Sequence, residues 1–228
     1  MLALVTGGAG FIGSHLVRAL LERGLAVRVL DNFSTGRREN LAGLPLELLE
    51  ADLRDASQVR RAVEGADWVF HLAAFVSVPQ SMAEPETCFS VNVGGLVNLL
   101  EACRQAGVRK VIFSSSTAVY GEPSVFPTPE DAPLSPLSPY ALSKQIGEQY
   151  MRFYSRVFGL PTLSLRYYNV YGPRQRPDSD YAAAIPIFAR RLLTGQPLTI
   201  YGDGRQSRDF IFVEDVVRAN LLAAESSL

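Results

Sequence analysis

Cysteine is scarce in this chain: only Cys88 and Cys103 occur among its 228 residues. Two thiols cannot make the disulfide framework of a small secreted domain, so the expectation is a pair of reduced, buried side chains in a cytosolic protein. An excess of basic charge is missing too. Lysine and arginine number 22 against 23 acidic residues, a net charge of −1. That balance argues against a nucleic-acid or membrane surface as partner. No run approaches the roughly 20 apolar residues of a membrane span. The apolar stretch Leu2–Thr6 is short and passes straight into glycine, unlike a signal peptide. Solenoid-period repeats and low-complexity tracts are absent, and no metal cluster is expected. What the chain does have is a hydrophobic fraction of 47%. That is ample for one packed core, with room for a smaller second lobe.

Strand-like and helix-like runs alternate. Short apolar runs fall at Leu2–Thr6, Ala26–Asp31, Leu46–Ala51, Trp68–Leu72, Val111–Ser115 and Thr162–Leu165, and helical spacing lies between them, as in Ile12, Leu16 and Leu20. Nearly continuous apolar strands separated by helices predict an α/β fold: a Rossmann-like, doubly wound parallel sheet covered on both faces. The proline-rich stretch Glu122–Pro139 has no periodicity and reads as a long loop. After about Val170 the alternation loosens, and a smaller lobe is expected to begin there.

Three segments carry chemistry. Gly7, Gly10 and Gly13 sit between the first strand and a helix in "VTGGAGFIGSH". In that context glycines permit a tight turn, close approach of backbone to a pyrophosphate, and close helix–strand packing, with the helix N-terminus facing the phosphates. The spacing is G-x-x-G-x-x-G, a weak signal alone, and a ligand-free turn is the competing reading. Asp31 closes the next strand in "VRVLDNFSTG". A carboxylate there can bond both ribose hydroxyls of an adenosine and repels a 2′-phosphate, which favours NAD over NADP; a turn-forming Asp-Asn pair is the alternative. In "SPYALSKQIGEQY", Tyr140 and Lys144 share a helix face. An ammonium beside a phenol lowers the phenol's pKa, so Tyr140 is expected to serve as acid or base. Ser138 is the expected N-cap, with Pro139 first in the helix. A chance surface pair is the bland alternative.

These stretches, together with "ADLRD", "VFHLAA", "NVGGLVNLLEA", "FSSSTAVYGE", "LRYYNVYGPRQ" and "GDGRQSRDFIFVEDV", resemble the extended short-chain dehydrogenase/reductases of the NAD-dependent epimerase/dehydratase kind, and among them most closely the UDP-glucose (UDP-galactose) 4-epimerases. The motifs span nearly the whole chain in that family's order. The resemblance implies residues 1–170 as the NAD-binding domain. Residues 171–228 would be part of a substrate lobe, with some chain crossing back. Members usually run longer, so this lobe is expected to be truncated. By the same resemblance Ser116, Tyr140 and Lys144 are the catalytic set. Gly7, Gly10, Phe11, Ile12 and Gly13 would line the pyrophosphate. Asp31, Asn32, Phe33, Ser34, Thr35 and Gly36 would hold the ribose, and Asp52 and Leu53 the adenine. Leu72, Ala73, Ala74 and Val76 would track the middle of the cofactor. Asn92 would fix the active-site helix, and Tyr168 would meet the nicotinamide side. Asn169, Thr199, Ile200, Tyr201 and Arg208 would hold the UDP portion of a UDP-sugar substrate. A homodimer paired through helices near residues 87–105 and 139–158 is implied.

Other residues have plainer readings. His71 is expected to pack or bridge in the core. Tyr167 and Tyr168 are candidate core aromatics, Arg174 and Arg176 solvated loop charges, and Ser114 and Ser115 caps of backbone groups. The related dehydratases carry an acidic pair after the catalytic hydroxyl; here stand Thr117 and Ala118. The implied reaction is therefore 4-epimerisation of a UDP-hexose through a 4-keto sugar. UDP-N-acetylhexosamine and UDP-uronate substrates, or a non-catalytic NAD sensor, stay open.

Overall fold

The computed structural model describes residues 1–176, 184–200 and 202–227. The expected apolar runs form one six-stranded sheet, ordered β3-β2-β1-β4-β5-β6 and parallel throughout. The strands are β1 Leu2–Thr6, β2 Ala26–Asp31, β3 Glu47–Glu50, β4 Trp68–His71, β5 Lys110–Ser116 and β6 Thr162–Tyr167. Val5 pairs with Val29 on one side and Phe70 on the other. The order reverses between β1 and β4, the switch point where open α/β sheets open a crevice at their carboxyl ends.

Helices cover both faces, which explains why β1 is buried almost without alternation. On one face α2 (Ala56–Val63), α5 (Gly95–Ala106) and α6 (Pro139–Phe158) pack Val59, Leu96, Leu99 and Met151 against Leu4, Val69, Val111 and Phe113. On the other, α1 (Phe11–Glu22) packs Leu16, Val17 and Leu20 against Val5, Val29 and Phe70. Two short helices, α3 (Val78–Ala83) and α4 (Pro85–Phe89), precede α5, and α4 runs into it through a π-turn over Ser90–Gly94.

Residues 121–138 form a loop without helix or strand. It ends at Ser138, whose hydroxyl accepts from Ala141 N at 3.1 Å and caps α6, with Pro139 first in the helix. Beyond β6, β7 (Asn169–Tyr171) pairs in parallel with β8 (Phe210–Phe212), and α7 (Ala184–Leu193) lies between them in sequence. The last helix, α8 (Val213–Glu225), returns to the main sheet and buries Val217 and Leu221 beside α1. Lys110 Nζ fastens its end, donating to Ser226 O at 2.6 Å. Both cysteines are free and buried. Among the described residues no helix is long and apolar enough to cross a membrane, and no acidic, His or Cys cluster could hold a metal ion.

Candidate functional site

A cleft of about 440 Å³ opens at the switch point, well inside the range of small-molecule sites. Its floor is the glycine turn. Gly7 has φ +72°, and a Cβ there would lie 2.7 Å from Ala73 N; a Cβ on Gly13 would overlap the Gly7 carbonyl and stand 2.8 Å from Gly8 Cα. Only glycine lets the turn, β4's exit and α1 approach this closely. Gly10 ends the turn, so the first N–H groups of α1, at Phe11 and Ile12, have no helical partners, and both residues line the cleft.

Asp31 lies at the end of β2, 6% exposed. Its Oδ2 accepts from Ala9 N at 2.9 Å and its Oδ1 from Phe33 N at 2.8 Å. Burial pushes its carboxyl up, opposed by these two bonds. Each oxygen keeps acceptor capacity toward the cleft. Asn32, Ser34, Thr35, Gly36, Asp52 and Leu53 line the same end, and Leu72, Ala73, Ala74 and Val76 the middle. Asp52 is held well below the usual carboxylate range, chiefly by hydrogen bonds from Arg54. An anion-ready turn, a ribose-side carboxylate and an apolar middle wall fit an adenine dinucleotide.

Tyr140 and Lys144 line the opposite end. Ser116 stands just outside the lining residues; its Oγ accepts from Ala118 N at 3.2 Å, and its hydroxyl is near enough to Tyr140 to pull the phenol down. Lys144 Nζ donates to Ser114 O at 2.7 Å and sits 5.8 Å from the Tyr140 ring centre. The expected lowering of the phenol by this ammonium is not what the geometry gives. Burial dominates and pushes Tyr140 up, more than the nearby Ser116 hydroxyl pulls it down. Burial also lowers Lys144 to about 8. The sequence pairs the two groups but does not reveal how the packing around them, with Lys144 buried and Tyr140 partly so, opposes both charges.

His71 is a core bridge. It shares a 2.8 Å hydrogen bond with Thr6 Oγ1 and stacks on Phe113, and burial holds it neutral, lowered to about 3. Asn92, in the π-turn, accepts from Phe75 N at 2.7 Å and donates to Ser143 Oγ at 2.9 Å, tying the cleft wall to α6. Ser114 and Ser115 do not cap backbone as expected: their hydroxyls donate to Tyr167 OH at 3.2 Å and Glu148 Oε1 at 2.6 Å. Partners from distant strands and helices outcompete local backbone here. Arg174 and Arg176 are not merely solvated loop charges either. Both line the cleft with Gln175, and Arg174 Nη1 reaches Ser14 Oγ at 3.1 Å. No spacing rule signals a contact between residues so far apart in sequence.

Several sequence candidates stand outside the cleft lining. The Phe33 ring lies under the Arg38 guanidinium at 4.1 Å. Tyr168 is partly exposed, and Asn169 Nδ2 donates to Asp209 O at 3.0 Å. Thr199 Oγ1 accepts from Arg191 at 2.6 Å, Ile200 is exposed, and Arg208 donates to the adjacent Ser207 O at 2.7 Å. Tyr201 lies outside the described residues.

Residues 3–227 match the NAD dependent epimerase/dehydratase family. A UDP-glucose 4-epimerase of Mycolicibacterium smegmatis is 46% identical over 225 residues, 96% of this chain and 72% of that protein. A UDP-glucose 4-epimerase from Thermus thermophilus, solved in complex with NAD, is 48% identical with a TM-score of 0.93 over 99% of this chain and 75% of that one. A UDP-N-acetylglucosamine 4-epimerase from Methanobrevibacter ruminantium superposes with a TM-score of 0.96 at 45% identity, covering 99% and 73%. With its Rossmann-like sheet and its dinucleotide cleft, the chain belongs to the NAD dependent epimerase/dehydratase family.

Proposed function

We propose that this NAD-dependent nucleotide-sugar epimerase inverts C4 of a UDP-hexose, interconverting UDP-galactose and UDP-glucose. The observation that carries the reading is the make-up of the cleft's catalytic end. Tyr140 and Lys144 stand there with Ser116 beside them, while among the described lining residues the acids are Asp31 and Asp52, at the adenosine end. Epimerisation needs a proton acceptor at the sugar hydroxyl and no further acid, whereas elimination of water needs a second acid–base pair.

Bound in the cleft, NAD supplies a hydride acceptor and donor. The chain's own groups do the rest. As the phenolate, the form that burial opposes and the Ser116 hydroxyl favours, Tyr140 Oη would take the proton from the 4-hydroxyl and later return it. Ser116 Oγ holds the 4-oxygen in reach of Tyr140. Lys144, fixed on Ser114 O and 5.8 Å from the Tyr140 ring centre, would hold the cofactor's ribose.

Residues 171–228 are proposed to contribute to the substrate lobe, with Asn169, Thr199, Ile200, Tyr201 and Arg208 toward the UDP portion. A homodimer is proposed through α4, α5 and α6, supported by the exposed apolar side chains Phe89, Leu142, Phe153 and Val157.

Purified protein incubated with UDP-galactose and no added electron acceptor tests the reading. UDP-glucose should appear, and Tyr140→Phe should abolish it. Conversion only of N-acetylated or uronic UDP-sugars would move the substrate; none with any of them would leave an NAD-binding sensor.

A further inference from the structure

Ser116 is followed by a tight turn, Thr117–Tyr120, and its neighbours on both sides are fastened to one ion pair. On one side the Ser115 hydroxyl donates to Glu148 Oε1 at 2.6 Å. On the other, Tyr120 OH accepts from Arg166 Nη1 at 2.7 Å, and the guanidinium lies 4.8 Å over the Tyr120 ring. Glu148 and Arg166 meet in a two-pronged pair, Nε to Oε1 at 2.8 Å and Nη2 to Oε2 at 2.7 Å. Arg166 Nη1 also donates to Glu130 O at 2.8 Å, in the loop that leads into α6. The pair is enclosed, with the Glu148 side chain 3% and the Arg166 side chain 19% exposed. Burial pushes the Glu148 carboxyl up, but bonds from Arg166 and Ser115 outweigh it and hold it below the usual range.

A buried ion pair is weak support for stability, because desolvation offsets the attraction. What this pair contributes is geometry. Glu148 lies one helical turn beyond Lys144 and two beyond Tyr140, on the same face of α6. One carboxylate therefore locks the helix bearing Tyr140 to the strand end bearing Ser116, while its guanidinium partner locks the far side of the turn and the loop. We infer that Glu148 and Arg166 are positioning residues, a brace on both flanks of the turn that holds the Ser116 hydroxyl against Tyr140. Neither is among the residues that line the cleft.

The inference deepens the proposed reaction and rests on it for its kinetic consequence, but not for its spectroscopic one. The groups facing Tyr140 are Ser116 from β5, Lys144 from its own helix and Cys88 from α4. Of these, the nearby Ser116 hydroxyl favours the phenolate. Loosening the turn moves that hydroxyl away, so the phenol should lose its proton at higher pH.

The test uses the NAD-loaded protein carrying Glu148→Gln, with Glu148→Asp as the conservative variant and Ser115→Ala as a milder one. Bound NAD and thermal melting report the fold. Ultraviolet phenolate titration, taken as a difference against Tyr140→Phe, reports Tyr140. Glu148→Gln should keep NAD and move the Tyr140 midpoint to higher pH. Its kcat should fall about tenfold while KM moves less than about threefold. Glu148→Asp should recover most of both. If Glu148→Gln does not fold, Ser115→Ala should move the midpoint the same way by less. An unchanged midpoint in a folded, NAD-loaded Glu148→Gln or Ser115→Ala protein overturns the inference, whatever kcat does. A wild-type protein that epimerises no UDP-sugar defeats the reaction assigned above, and the titration still decides the brace.

Discussion

The Lys144 ammonium donates to the Ser114 carbonyl at 2.7 Å, so the helix bearing Tyr140 is pinned to the end of β5 by a charge with almost no solvent around it. Burial lowers this lysine to about 8 in the fold, from an ordinary 10.5. The unfolded chain therefore binds more protons than the native one between those values, and native stability gains with pH across that window.

Lys144→Met exposes this cost. At pH 7 the variant should melt a few degrees above the wild type while turnover falls by about a hundredfold or more. The wild type's deficit should shrink as pH rises from about 8 to 10.5. Calorimetry across that range checks it, and a difference independent of pH would contradict the assignment.

Gly13→Ala should damage the cofactor site at its floor. The new methyl meets backbone, the Gly7 carbonyl and Gly8 Cα, neither of which can step aside as a flexible side chain would. A loss of about 1–3 kcal/mol in stability and much weaker NAD binding are expected. Calorimetric titration with NAD measures the second directly; wild-type affinity would show that the turn is not where the dinucleotide binds.

His71 predicts an acid-side effect. Burial holds it neutral in the fold, lowered to about 3 from 6.5. Below pH 6.5 the unfolded chain takes up a proton that the native one refuses, so the stability present above 6.5 is lost as pH falls toward 3. His71→Asn removes that component. Its stability should fall less steeply than the wild type's between pH 6.5 and roughly 5, above the range where carboxylates dominate. Parallel curves would place His71 in water.

What the sequence made legible was local. The glycine turn, Asp31 at a strand end, and the Ser138 cap with Tyr140 and Lys144 on one face are spacings of a few residues, and the fold keeps each of them. Contacts that join distant segments were not legible. Arg174 reading Ser14, Glu148 reading Ser115 and Arg166, and Asn92 reading Phe75 and Ser143 depend on how sheet and helices assemble. The Tyr140 phenol was misjudged for the same reason: charge spacing can be read along the chain, whereas desolvation is set by everything packed around it. The π-turn at Ser90–Gly94 likewise left no mark on the helical periodicity.

The central claim is that one cofactor-loaded site removes hydrogen from C4 of a UDP-hexose and gives it back to the same molecule. UDP-galactose deuterated at C4, incubated with the NAD-loaded protein and no other electron acceptor, tests it most directly by NMR. The account predicts UDP-glucose that keeps its deuterium at C4, formed by the wild type and not by Tyr140→Phe. Product without the label, or a Tyr140→Phe protein that converts as fast as the wild type, would contradict it.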